Sequence, residues 1–151
     1  FGDGHWEGFN AELIQKEASV PVCSPVWLER AKSHDALVTV AQNNPIHIMG
    51  CEDRWTRWFR MVGIKEERAH KGLQVDTSLT ALELASAGSG FALVLRSLAQ
   101  SYIDSGRLIS PFEGELPIEQ SHYLLQPKGG KGPSPEVLIF RHWILETVRL
   151  G

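Results

Sequence analysis

Cysteine is scarce in this sequence: Cys23 and Cys51 stand alone among 151 residues. That excludes a disulfide framework as the device that holds the fold together. Both cysteines end apolar runs, Val20-Pro21-Val22-Cys23 and Ile46-His47-Ile48-Met49-Gly50-Cys51. They read as reduced strand-end residues, and a Cys23–Cys51 bridge is open only if those strands are neighbours. Excess charge is lacking too. Fifteen Lys and Arg oppose eighteen Asp and Glu, a formal charge of −3. This balance argues against the chain gripping a phosphate backbone by itself, because such binding rests on clustered cations. No run is long and apolar enough to cross a membrane, and the first residues do not read as a secretion signal. None of the six histidines, His5, His34, His47, His70, His122 and His142, stands at metal-ligand spacing from another histidine or a cysteine. No metal and no cofactor are expected. Gly88-Ser89-Gly90 follows a helical pattern rather than opening one, so it is not a phosphate-cradling loop.

What is present is an ordinary globular composition, 42% hydrophobic and 22% charged. A chain of this length buries roughly 70% of its unfolded surface without a staple, as one domain or two small lobes. The most informative stretch runs from Val75 to Leu95. Asp76, Thr77 and Ser78 are helix-capping residue types, whose side-chain oxygens accept bonds from the free N–H groups of a first turn. An alanine- and leucine-rich helix follows, and Gly88 and Gly90 stop it. Phe91 to Leu95 is then continuously apolar, as a parallel strand buried on both faces should be.

Around this core the pattern alternates. A glycine turn, Phe1-Gly2-Asp3-Gly4, leads to a short strand near residues 11–15, and a second strand covers 19–23. Ser24-Pro25 predicts a helix over 25–32, with Ser as cap, Pro at the first helical position and Val26 and Trp27 inward. Residues 36–40 are strand or helix, and Asn43-Asn44-Pro45 is a turn. A strand over 46–49 precedes a helix over 54–62, capped by Asp53. Its apolar face, Trp55, Trp58, Phe59 and Val62, has the spacing i, i+3, i+4, i+7, and Gly63 ends it. Residues 65–71 are a charged surface segment, and 73–75 a short strand. After Phe91–Leu95 come a helix over 96–104, a strand over 107–110, a connection over 111–120 and a strand over 122–126. Lys128 to Pro133 is a mobile basic loop. Ser134-Pro135 starts a last helix, reaching about Arg149, that buries Val137, Phe140, Ile144 and Val148. Strands alternating with helices through short loops predict an α/β protein, with mixed sheets flanked by helices.

In open α/β sheets, ligands bind where helices begin at the carboxyl ends of strands. The candidate starts are Ser24, Asp53, Thr77-Ser78 and Arg96-Ser97. Each offers free N–H groups and the positive end of a helix dipole, suited to a small polar ligand such as a carboxylate. Catalytic signals are weak, and no catalytic residue is assigned. Cys23 has no nucleophile signature around it. Glu12 with Glu17, and Glu52 with Asp53, read as solvated surface rather than acid–base pairs. Trp55, Trp58 and Trp143 read as core.

The ordered motifs resemble the C-terminal part of a LysR-type transcriptional regulator, from the branch that includes glycine-cleavage and β-lactamase activators. Phe1-Gly2-Asp3-Gly4-His5-Trp6 is similar to the segment ending the first half-lobe, and Pro21-Val22-Cys23-Ser24-Pro25 to the crossover into the second lobe. Trp55-Thr56-Arg57-Trp58-Phe59 with Gly63 resembles the tryptophan helix of that lobe. Asp76 to Leu95 resembles the most repeated stretch, and Gly106 to Phe112 the return segment. His122 to Pro127 and Phe140 to Ile144 resemble the closing strand and helix.

The resemblance implies a fold like that of type II periplasmic binding proteins, with two α/β lobes, two crossover strands and a small effector in the cleft. It implies no enzyme. It implies a cytoplasmic homo-dimer or tetramer that reaches promoter DNA only through a separate N-terminal helix-turn-helix domain. By position it nominates Thr77, Ser78 and Tyr123 as effector contacts, with Trp6, Cys23 and Ser24 near the crossover. Residues 20–115 correspond to the second lobe, and 1–19 with 116–151 to the remaining parts of an incomplete first lobe. The DNA-binding domain falls outside the chain. A transporter's solute-binding protein shares the fold and is the alternative reading; the order of the motifs and the two unpaired cysteines weigh against it.

Overall fold

The computed structural model describes residues 1–64, 72–129 and 132–149. Two compact units are present: Ala18–Pro117, and Phe1–Glu17 with Ile118–Gly151. The elements are β1 (Phe9–Val22), α1 (Val26–Arg30), α2 (His34–Asn43), β2 (Pro45–Ile48), α3 (Arg54–Met61), β3 (Leu73–Val75), α4 (Ser78–Ser86), β4 (Phe91–Leu95), α5 (Arg96–Asp104), β5 (Leu116–Pro127) and α6 (Pro135–Arg149). The expected charged segment 65–71 lies outside the described residues, as do residues 130 and 131 of the basic loop.

In the larger unit the strands lie in the order β3-β2-β4-β1. β2 is parallel to both β3 and β4, and β1 runs antiparallel to β4, with Ser19 opposite Leu95 and Val22 opposite Ala92. β4 is apolar throughout because both its faces are covered. Ala92 and Val94 pack with Val20, Val22, Ala81, Leu82, Ala85, Ala99 and Leu108. Phe91 and Leu93 pack on the other side with Leu37, Ala41, Trp55, Trp58, Phe59 and Phe112. Burying a side chain such as Phe91 contributes roughly 1.5–3 kcal/mol. The α3 stripe of Trp55, Trp58 and Phe59 is buried as its spacing predicts. Trp55 Nε1 donates to the Ile46 carbonyl at 3.2 Å, and Trp58 Nε1 to the Gly114 carbonyl at 3.0 Å.

Several expectations are corrected. The two short strands near residues 11–15 and 19–23 are one long strand, β1. No glycine or proline interrupts Lys16-Glu17-Ala18, and Glu17 is buried rather than solvated, its carboxylate 3.0 Å from His122 Nε2. Of the two readings open for residues 36–40, helix is the one formed, capped by the Ser33 hydroxyl. Asn43 closes that helix, Asn44 follows as its C-cap, and Pro45 opens β2 where a turn was expected. The strand expected at 107–110 reduces to one pairing of Ile109 with Cys23, because Pro111 has no N–H to extend the ladder. β5 begins at Leu116, inside the expected connection. Cys23 and Cys51 are both free, in agreement with the reduced state expected of them.

The smaller unit is built differently. Its part of β1 neighbours β5, Gly2 bridges Ser121, and the Arg141 guanidinium makes a two-pronged contact with the Glu12 carboxylate. That contact orients α6. Its half-buried stripe is Arg141, Ile144, Leu145 and Val148, the spacing i, i+3, i+4, i+7, rather than the stripe expected from Val137 and Phe140. Val137 and Phe140 are exposed, Ile139 is 70% exposed and Trp143, expected in the core, is 57% exposed. Among the described residues of this unit the buried ones are Glu17 and Ser121, and no hydrophobic side chain is fully buried.

The turn from α4 into β4 sets a sharp steric limit in the larger unit. A Cβ on Gly90 would lie 2.4 Å from the Asn44 carbonyl oxygen and 3.2 Å from Ile46 Cγ1. Phe91 N–H also bonds that carbonyl, at 2.9 Å. Gly90→Ala is expected to lower stability by about 1–3 kcal/mol, the range for overpacking. Urea denaturation followed by circular dichroism reads the change, and an unchanged midpoint overturns the steric account.

Candidate functional site

The start of α4 is the best-formed candidate. Thr77 has extended backbone, φ −133° and ψ 154°, the conformation a helix N-cap requires. Its Oγ1 accepts from the Thr80 N–H at 3.1 Å, and its carbonyl accepts from the Ala81 N–H at 3.1 Å. Among the described residues the amides of Ser78 and Leu79, the first two of the helix, find no partner, and they share the positive end of the α4 dipole. Thr80 was not singled out in the sequence. Its hydroxyl lies 2.8 Å from Thr77 Oγ1 and 3.4 Å from Asp76 Oδ1, closing a small polar cluster. The signal was present as Thr77-x-x-Thr80, a capping-box spacing with Thr in the place of the usual Glu or Gln. Elsewhere on α4, Glu83 accepts from the Tyr102 hydroxyl at 2.6 Å and from Arg107 at 2.7 Å. These two bonds, Tyr102 first, hold its carboxyl below the ordinary range.

The other expected helix starts are not side-chain caps. Asp53 is already in helical backbone, φ −80° and ψ −11°, and accepts no cap bond; its carboxylate sits 3.7 Å from Arg57 instead. Pro25, not Ser24, takes the cap position of the five-residue helix α1. Ser24 contributes only its carbonyl, which accepts from the Trp27 N–H at 3.1 Å. α5 starts from Leu95, with no side-chain cap.

The remaining nominated residues divide between the two units. Cys23 is fully buried in the aromatic cluster of the larger unit. In the smaller unit the rings of Trp6 and Tyr123 meet edge to face, centroids 5.4 Å apart. Gly4 seats them: at φ +92°, a Cβ there would come within 2.9 Å of the Tyr123 hydroxyl. Glycine is required at that point for both its conformation and its lack of bulk. Among the described residues no group of three His, Cys, Asp or Glu is placed to hold a metal ion, and no helix is long and apolar enough to cross a membrane.

This arrangement has known counterparts. The model of the LysR substrate binding domain matches residues 1–149. The chain belongs to that family. Among LysR relatives it is 32% identical over 149 residues to the glycine cleavage system transcriptional activator of Escherichia coli, covering 96% of this chain and 47% of that protein. It is 25% identical to the transcriptional activator AmpR of Enterobacter cloacae, covering 99% and 50%. The chain therefore spans about half the length of the curated relatives it matches. Among solved structures, the effector domain of AmpR from Pseudomonas aeruginosa superposes with a TM-score of 0.74 at 25% identity, over 99% of this chain and 70% of that one. The effector binding domain of AmpR from Citrobacter freundii shares the fold, with a TM-score of 0.76 at 20% identity. These neighbours are LysR effector domains, with the type II periplasmic-binding-protein-like fold.

Burial acts directly on Cys23. Removal from water pushes its thiol up to about 12, because a thiolate has no solvation in an aromatic pocket. The nucleophile is the thiolate, so Cys23 is expected to resist iodoacetamide at pH 8 in the folded chain while half-buried Cys51 reacts first. Peptide mass mapping checks this. Alkylation of native Cys23 at the rate of Cys51 would show that the thiol is open.

Proposed function

We propose that this chain is the effector-sensing part of a LysR-type transcriptional regulator. It binds a small polar molecule and, as a homo-oligomer, passes that state to a DNA-binding domain outside residues 1–151. The observation that carries the reading is the start of α4, a true N-cap with two free amides, in a chain whose family match runs from residue 1 to 149. Thr77 and Ser78 are the leading effector contacts. Tyr123 and Trp6 are the contacts nominated in the smaller unit. Ser24 and Cys23 are secondary: Ser24 has its hydroxyl to offer, while Cys23, buried and with both backbone groups bonded to Ile109, shapes the crossover behind it. The effector class is a small molecule with an anionic or acceptor group, such as a carboxylate, since donors and a positive dipole end await it. The named relatives are transcriptional regulators rather than enzymes or transport proteins, which favours this reading over a transporter's solute-binding protein. A cytoplasmic location and the absence of a cofactor go with it.

In the same reading residues 20–115 form the second lobe, and 1–19 with 116–151 are parts of a first lobe that further polypeptide completes. The composition of the smaller unit supports this. A strand layer with one helix and no fully buried hydrophobic side chain among its described residues does not balance the entropy of its own ordering. The apolar side of α6, with Ile139, Phe140 and Trp143 exposed, is where such a segment packs.

Two measurements test the proposal. In a thermal-shift screen of amino acids, organic acids and muropeptides, a true effector raises the Tm of the wild-type protein but not of the Thr77→Ala/Ser78→Ala variant. Equal stabilisation of both moves the effector away from α4. In an electrophoretic mobility shift with DNA from its own promoter, the 151-residue chain alone is expected to give no sequence-specific complex. A specific complex would place DNA recognition within these residues.

A further inference from the structure

The larger unit has a concavity that shares no residue with the start of α4. Its volume is about 440 Å³, within the roughly 300–1,000 Å³ typical of small-molecule sites. Trp58 and Phe112 form the floor, with Val62, Ile64 and Pro111 as apolar walls and His34 and Glu113 at the rim. The floor is held rigidly. The bond from Trp58 Nε1 to the Gly114 carbonyl ties the turn carrying Phe112 and Glu113 to α3. Trp58 and Phe112 pack with centroids 5.4 Å apart, and the His34 ring meets Phe112 edge on at 5.8 Å. Gly114, at φ +95°, lets the turn close: a Cβ there would approach Val62 Cγ1 to 3.1 Å.

The charge at the rim is one-sided. Among the described lining residues Glu113 carries the formal negative charge and none is Lys or Arg. Neighbouring acids are occupied, Glu115 by Arg96 and Asp53 by Arg57, whereas the exposed Glu113 carboxylate has no hydrogen-bond or ion-pair partner among the described residues. A carboxylate only accepts hydrogen bonds, so the complementary group is a protonated amine. Aromatic edges and apolar walls suit a flat, apolar body.

We propose that this concavity is a second ligand site of the larger unit, selective for small aromatic amines and independent of the effector site on α4. Tryptamine is the probe, and indole-3-acetate is its counterpart of similar body and opposite charge. Isothermal titration of the 151-residue chain is expected to show saturable binding of tryptamine, about fivefold tighter than indole-3-acetate. An exposed ion pair is worth a factor of this size. Glu113→Gln, an exposed change expected to leave the circular dichroism melt unaltered, should weaken tryptamine about threefold and erase its preference over indole-3-acetate. Thr77→Ala should leave tryptamine affinity unchanged, which keeps this site separable from the one at α4. Failure of tryptamine to saturate at millimolar concentration overturns the proposal. So does equal affinity for the two probes, indifference to Glu113→Gln, or loss of binding in Thr77→Ala.

Discussion

A strand with no solvent face governs the larger unit. Phe91 to Leu95 exposes no apolar surface to water except part of Leu95, so it needs a neighbour on each edge and a layer on each side. β2 and β1 take the edges. α4 and α5 supply one layer, and the aromatics of α3 with Phe112 supply the other. The requirement propagates outward. α4 lies close because Ala81 and Ala85 are small, and the turn that follows fits because Gly90 has no side chain beside Asn44. With α4 held there, its first turn emerges beyond the end of β3, where Thr77 caps it.

The features that were legible in the sequence are those governed by local chemistry or by burial on both faces. The α3 stripe, the apolar run of β4, the span of α5 and the Thr77 cap all follow from residue type and spacing over a few positions. Features decided by distant partners were not legible. Glu17 reads as a surface acid until His122 arrives from β5. Asp53 has the right chemistry for a cap but the wrong backbone, and Ser24 loses the position to Pro25. The orientation of α6 turned on the Glu12–Arg141 contact, which spans most of the chain, and no periodicity within residues 135–149 reports it. Thr80 and the Ser33 cap carry a local signal as well, a hydroxyl at N3 or N-cap spacing.

The nominated residues differ in what they can do chemically. Thr77 and Ser78 offer hydroxyls and a helix dipole at the surface. Cys23 has a thiol that water does not reach and that stays protonated. Trp6 and Tyr123 are already in contact with each other, so a ligand meeting them meets a preformed aromatic edge rather than two mobile rings. Recognition built from such parts would read hydrogen-bonding pattern and shape.

The attachment of α6 has a consequence for how the chain responds to its medium. In the larger unit cohesion comes from apolar packing, which sulfate or phosphate strengthens. In the smaller unit the helix is tied down by a half-exposed guanidinium–carboxylate pair, Arg141 with Glu12, of the kind that ionic strength screens. One added salt therefore weakens the polar tie on α6 while it strengthens apolar packing, of which the larger unit has far more. The ionic composition of the surroundings sets which of them loosens first.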